Sequence, residues 1–259
     1  MIPISERKRI VVKVGTSTLT HRTGRLNIRR VEQLVKTLAD LQNAGHEVSS
    51  GAIGLGMGKL GLMDRPKDTP GKQACAAVGQ CELMYLYDNL FSEYSITVAQ
   101  LLLTKYILLE DRRKNVENAL ERLISQGVIP VVNENDTVAI DELELEMGEN
   151  DSLAAVVATI ANADLLIIMS DIDGLYDSDP RQNPDAKMIP VVREISEDIH
   201  AVAGGAGTKF GTGGMATKIH AVEIAYESDI DVVLMNGQHP KKLYELFEDK
   251  PVGTLFHKG

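Results

Sequence analysis

Short apolar runs rich in β-branched residues recur along the chain at Ile10–Val14, Ile96–Leu103, Val128–Val132, Leu165–Met169 and Val232–Met235. Amphipathic stretches of helical length separate most of them. Runs this apolar belong to strands covered on both faces, and the intervening helices are the segments able to cover them. The reading is an α/β protein: a three-layer α/β/α sandwich with a mainly parallel central sheet. Helices are placed at Ile28–Ala44, Lys72–Tyr94, Arg112–Gln126, Ser152–Asn162, Ala216–Tyr226 and Pro240–Phe247. The connections are short apart from polar stretches at Ala139–Gly148, read as a small hairpin, and Leu175–Arg193, read as a loop on the ligand side. No internal repeat or Pro/Ser-rich linker divides the chain, so residues 1–259 are read as a single domain.

Charge and cysteine content narrow the function. A formal net charge of -10 argues against a surface that grips nucleic-acid phosphates. Any anionic ligand must therefore meet a local positive site. No apolar run reaches the roughly 18 residues that span a bilayer, and the first residues lack a signal-peptide core, so no membrane is expected and the chain is read as cytoplasmic. Cys75 and Cys81 fit neither a C-x-x-C redox motif nor a zinc site, the histidines are scattered, and no metal ligand set is assigned.

In an open α/β sheet, ligands sit beyond the carboxyl ends of the strands. The residues that directly follow the apolar runs are therefore the informative ones. Gly211–Lys218 carries the strongest chemical signal: three glycines in four positions precede a helical segment, and Lys218 falls near that helix's first turn. Backbone N–H groups there favour anions, and glycine lets the backbone approach phosphate oxygens. A flexible loop with a capped helix is the plain alternative, and the spacing is not that of a Walker A loop.

Lys13 ends the first strand beside Gly15 and Thr16, and a lysine in so apolar a strand needs a partner. A structural salt bridge explains it as well as a phosphate does. Together with Lys218 it suggests two cations on one polyphosphate, as phosphoryl transfer requires, with Asp151 the candidate to orient them. Asn150 and Asp151 are equally suited to capping the helix that follows. Gly56–Gly61 satisfies G-x-G-x-x-G without the strand and acidic residue of a dinucleotide site, and Asp171, Asp173, Asp177 and Asp179 do not have EF-hand spacing.

Taken in order, Val11-Val-Lys-Val-Gly-Thr-Ser, Ser49-Ser-Gly-Ala-Ile, Val132-Asn-Glu-Asn-Asp-Thr-Val-Ala, Asn150-Asp-Ser-Leu-Ala-Ala, Ser170-Asp-Ile-Asp-Gly-Leu-Tyr and Gly211–Lys218 closely resemble the glutamate 5-kinase branch of the amino acid kinase superfamily. That resemblance covers nearly the whole chain. It implies an amino acid kinase-like fold and ATP-dependent phosphorylation of the side-chain carboxylate of L-glutamate to glutamyl 5-phosphate, the first step of proline biosynthesis. By the same resemblance Lys13 and Lys218 steady the phosphates, and Asp151 organises the two lysines. Ser50, Asp136 and Asn150 match glutamate-binding positions. Gly15, Thr16, Ser170, Asp171, Thr212, Gly213, Gly214, Met215, Ala216, Thr217 and Lys218 fall on the nucleotide side. Mg²⁺ is expected to be held mainly through the ATP phosphates, proline is implied as a feedback inhibitor, and a homo-oligomer, dimer or tetramer, is implied. Longer relatives continue into a C-terminal PUA domain, which is expected to be absent here.

The chemistry agrees, because a glutamate carboxylate is ionised at neutral pH and needs no general base. Other readings stay open: a kinase for acetylglutamate, aspartate, carbamate or a nucleoside monophosphate, or a non-catalytic amino-acid-binding homologue. One departure from the resemblance bears on this choice. Only His46-Glu-Val lead into Ser49, and three residues rise only about 10 Å, too little to cross the sheet. The strand is either truncated or interrupted by missing residues. The second reading is favoured, and it predicts Val48 and Ser49 Cα atoms well beyond the roughly 3.8 Å of a trans peptide. A strand that is short in fact would displace Ser50 and favour the non-catalytic homologue.

Overall fold

The structure, a computed structural model, describes residues 3–51 except 22 and 24, residues 68–138 except 105, 106 and 108, and residues 150–205 and 214–258. Eight strands form one sheet: β1 (Arg9–Val14), β2 (Glu47–Gly51), β3 (Val98–Leu103), β4 (Ile129–Glu134), β5 (Leu165–Ser170), β6 (Val191–Val192), β7 (Asp231–Asn236) and β8 (Thr254–Phe256). Their order is β3-β4-β2-β1-β5-β7-β8-β6. Every pairing is parallel except that of β7 with β8. The chain builds outward from β1 on one side and then crosses to β5 on the other. The carboxyl ends of β1 and β5 therefore flank the switch point where open α/β sheets bind ligands.

Helices cover both faces. On one lie α2 (Ile28–Asn43), α3 (Thr69–Ser92) and α8 (Lys242–Phe247), packed over Ile10, Val12, Ile167 and Val233. On the other lie α4 (Glu110–Ser125), α5 (Asn150–Ile160), α6 (Glu197–Gly205) and α7 (Met215–Glu227), over Val11, Val132, Leu166 and Leu234. The short α1 (Thr16–Leu19) follows β1 directly. This is the three-layer sandwich expected from the alternation. Local chemistry sets the helix starts: the Asn27 side chain accepts from Arg30 N–H at 3.2 Å, and Asp68 accepts from Gly71 N–H at 2.9 Å ahead of Pro70. In α2, Val31, Leu34, Val35, Leu38 and Leu41 are buried at helical spacing, which fixes the face turned to the sheet.

The second strand departs from expectation. β2 runs unbroken, with Val48 and Ser49 paired to the consecutive residues Ile10 and Val11, so the discontinuity expected there is absent. Described from Glu47 to Gly51, the strand holds Ser49 and Ser50 inside the sheet, each 1% exposed. Its start is pinned: Glu47 N–H donates to Lys8 C=O at 2.7 Å, Arg9 Nε donates to the Glu47 carboxylate at 2.7 Å, and Val48 N–H donates to the Gln42 side chain at 3.0 Å. Held at that end, the strand brings its serines level with the middle of β1. Among the described residues it meets β4 at Ser50 opposite Val131 and at Gly51 opposite Val132.

Two sequence-level expectations, the hairpin at Ala139–Gly148 and the Gly56–Gly61 motif, lie outside the described residues. The Leu175–Arg193 segment is more ordered than a loop. Tyr176 bridges Met188, Val191 and Val192 form β6 against β8, and Asp177 and Asp179 spend their carboxylates on nearby backbone N–H groups.

Candidate active site at the carboxyl edge of the sheet

Three charged side chains from three elements meet at the switch point. Lys13 arrives from the end of β1, Asp151 from the first turn of α5 and Lys218 from the first turn of α7. Lys218 Nζ donates to Asp151 Oδ2 at 3.0 Å, and Lys13 pairs with Oδ1 of the same carboxylate. The carboxylate is 1% exposed, the Lys218 side chain 6% and that of Lys13 12%, so all three are largely withdrawn from water. Burial pushes the Asp151 carboxyl pKa up, but the two ammonium groups outweigh it and hold the group below its ordinary value. Asp151 is therefore a carboxylate, and its charge is spent on the lysines rather than on capping α5. Two cations against one anion leave a positive centre in a region of low dielectric, where it attracts an anion strongly.

The backbone adds to that centre. Gly214 caps α7 in extended conformation, and the Thr217 hydroxyl donates to Gly214 C=O at 2.8 Å, so the first turn carries Lys218 at a helix N-terminus. Beside the ion triad lies a small cavity with an apolar wall of Val11, Val132, Leu153, Ala154 and Val157. Lys13, Ser49, Ser50, Asn133 and Asn150 supply its polar lining. Among the described residues, no group of three His, Cys, Asp or Glu side chains is disposed to hold a metal ion.

The structure thus joins Lys13, Asp151 and Lys218, and sets Asn150 beside them. Gly15 lies just past β1, where its N–H donates to Met169 C=O at 3.3 Å, and Thr16 opens α1. Ser170 ends β5 and its hydroxyl donates to Asp171 at 3.1 Å, putting both at the same edge on the β5 side. Gly214, Met215, Ala216 and Thr217 form the start of α7, while Thr212 and Gly213 lie outside the described residues. Asp136 sits exposed in the turn after β4 and does not line the cavity.

Ser50 lines the cavity but directs its hydroxyl elsewhere. It pairs with Val12 and Val131, whose side chains pack under α3, so its hydroxyl turns toward the Tyr87 ring system on the face opposite the triad. Burial raises the Tyr87 pKa to about 12, offset in part by Ser50. Among the described residues neither hydroxyl completes a hydrogen bond of good geometry. Asn133, part of the Val132-Asn-Glu-Asn-Asp stretch quoted from the sequence though not assigned a glutamate-binding position, also lines the cavity. Its signal was its place directly after an apolar run.

The solved structures of UMP kinases from Bacillus anthracis and Ureaplasma parvum share this fold, with TM-scores of 0.65 and 0.66 at 17% identity. The first alignment covers 97% of this chain and 96% of the kinase, the second 98% and 100%. The amino acid kinase family model matches residues 8–236, and the chain belongs to that family. Within it, the chain is 51% identical to the glutamate 5-kinase of Clostridium perfringens over 98% of its own length and 96% of the relative's. The glutamate 5-kinase of Enterococcus faecalis is 47% identical over 99% and 97%. That of Caldanaerobacter subterraneus is 52% identical over 96% of this chain and 67% of its own, longer one.

Proposed function

We propose that this chain transfers the γ-phosphoryl group of ATP to the side-chain carboxylate of L-glutamate, giving glutamyl 5-phosphate and ADP at the entry to proline synthesis. The observation that carries the proposal is the buried Lys13–Asp151–Lys218 triad at the carboxyl edge of the sheet, in a chain about half identical to glutamate 5-kinases over nearly its full length.

A glutamate carboxylate oxygen attacks the γ-phosphorus; the new O–P bond forms as the bond to the ADP oxygen breaks. The nucleophile is ionised at neutral pH, so no side chain has to remove a proton. What remains is to align two anions and to balance charge as it moves onto the leaving oxygen. The two lysines meet that need, Lys218 at the helix terminus and Lys13 at the strand end, each fixed by Asp151 before substrate arrives. Bound Mg²⁺ supplies further charge neutralisation and would be carried on the phosphates. The cavity beside Lys13 and Asn150 is the place for the amino acid, next to the triad.

Turnover of glutamate with Mg-ATP, trapped as the hydroxamate with hydroxylamine, tests this directly. Hydroxamate formed from glutamate in preference to acetylglutamate and aspartate supports it. Faster phosphorylation of acetylglutamate, carbamate or UMP overturns it. One observation favours a second reading, a homologue that binds glutamate without phosphorylating it: the Ser49 and Ser50 hydroxyls are buried and have no hydrogen-bond partner among the described residues. Calorimetric binding of glutamate with no hydroxamate would select that reading.

A further inference from the structure

The two serines of β2 face opposite sides of the sheet. Residues in register on parallel strands share a face, and successive residues along a strand alternate between faces. Ser50 stands opposite Val12, which belongs to the core under α2 and α3. Ser49 stands opposite Val11, which belongs to the core under α5 and α7. Two residues further along that second face Gly51 is opposite Lys13, whose ammonium group pairs with Asp151. Ser49 therefore lies on the triad's side of the sheet, one strand period before Lys13, and it lines the cavity there.

The Ser49 hydroxyl has nothing in the fold to bond. The residue is 1% exposed, and among the described residues its Oγ makes no hydrogen bond. A buried hydroxyl without a partner weakens a fold, and alanine would occupy the same strand position without that loss. A polar group kept in spite of it, and turned to a cavity, points to a ligand atom. The other lining residues say which kind of atom. Lys13 brings an ammonium group, Asn133 and Asn150 bring amides, and the rest of the described lining apart from Ser50 is apolar. No carboxylate lines the cavity among the described residues. A cation and neutral dipoles without an anion favour a carboxylate ligand, and a serine hydroxyl, free to rotate, donates to one.

We infer that Ser49 is a substrate-binding residue whose hydroxyl donates to the side-chain carboxylate of the amino acid, the carboxylate that is to be phosphorylated. This rests on the reading of the site as a glutamate kinase. Of the two carboxylates of glutamate, the one beside Lys13 is the one that reacts, because Lys13 is among the groups that receive the phosphates. One oxygen of that carboxylate attacks the γ-phosphorus, and the other is left to accept from Ser49. The bond then turns the nucleophile toward phosphorus without occupying the attacking oxygen. It also makes Ser49 a determinant of substrate choice, since only a side chain that ends in an acceptor satisfies the hydroxyl.

The test separates affinity from stability in Ser49→Ala. Its glutamate Kd, read by calorimetry, should rise about tenfold or more, as expected when a hydrogen bond to a charged group is lost. The ATP KM should stay within threefold. The unliganded variant should melt at or above the wild-type Tm, because the hydroxyl it lacks had no partner in the fold. Norvaline carries a methyl group in place of the side-chain carboxylate, so its inhibition constant against glutamate should change less than twofold. Equal weakening of norvaline and glutamate overturns the inference, because the hydroxyl would then not act on that carboxylate. A Tm lowered by more than 2 °C overturns it as well, since the hydroxyl would then be serving the fold. Should wild type and variant both phosphorylate glutamate and bind it within threefold of each other, the kinase reading stands and the assignment of Ser49 fails. Should the wild type neither bind nor phosphorylate glutamate, the kinase reading fails and the assignment falls with it.

Discussion

Replacing Asp151 by asparagine removes one charge and almost no volume, and the triad's geometry sets the consequence. Its carboxylate is shared by two ammonium groups, of which Lys218 is 6% exposed and Lys13 12%. Breaking a buried ion pair by removing one partner costs about 3–5 kcal/mol. Lys13 has the easier path to water, so the lower end applies, about 3 kcal/mol. At this chain length that corresponds to a fall in Tm of roughly 6–12 °C. The sign of the pH dependence follows from the depressed pKa of Asp151. Its stabilising contribution is complete above the ordinary aspartate value of about 4, and is lost as the pH falls through the lower folded-state value. Melting curves of wild type and Asp151→Asn should differ fully at pH 7.5 and converge as the pH drops below that ordinary value. Turnover at pH 7.5 should fall about a hundredfold, because lysines no longer held by a common anion misplace the phosphoryl group. A variant that melts within 2 °C of wild type at pH 7.5 and keeps a third of its kcat would refute the argument.

Three further substitutions probe other parts of the molecule. Lys218→Ala should lower kcat by about 10²–10³-fold while glutamate binding, read by calorimetry, changes far less; a kcat within threefold removes it from the catalytic set. Ser50→Ala should leave the glutamate KM within threefold and the Tm equal or higher, since a buried hydroxyl without a partner costs about 1–3 kcal/mol; a tenfold rise in KM would show that Ser50 reaches the substrate after all. Gly253 has φ of +68°, and a Cβ there would stand 2.1 Å from the backbone oxygen of Leu234. Gly253→Ala should therefore cost about 3 kcal/mol or more and lower the Tm by roughly 6–12 °C, and a drop below 2 °C in calorimetry would contradict it.

The long elements were legible because their residues repeat a pattern. Five apolar runs and six amphipathic stretches sit within a few residues of β1, β3, β4, β5, β7 and six of the helices. The pieces that escaped are those too short to show a period: β6 with two residues, β8 with three and α1 with four. α6 also escaped, its nine residues ending in Gly204 and Gly205. At the site, Lys13, Asp151 and Lys218 could be read because each borders a strand end or a helix start, where local sequence announces position. The bond between Asn133 and Gln80 could not, since nothing in an apolar helix says that one glutamine will meet an asparagine 53 residues away. The misreading of β2 has a different source. The few residues before Ser49 were visible, but whether the chain breaks or runs on there depends on how Gln42, Glu47 and Arg9 anchor the strand, and those are tertiary contacts.

The way β2 pairs with β4 also accommodates a proline. Pro130 sits inside β4, a strand with neighbours on both sides, where a missing N–H should cost a ladder bond. The N–H groups of Ile129 and Asn135 point to β3, donating to Thr97 and Leu103. Alternation along the strand then turns the position of Pro130 toward β2. There β2 pairs only from Val131 onward, so the proline faces a stretch of sheet with no ladder to break.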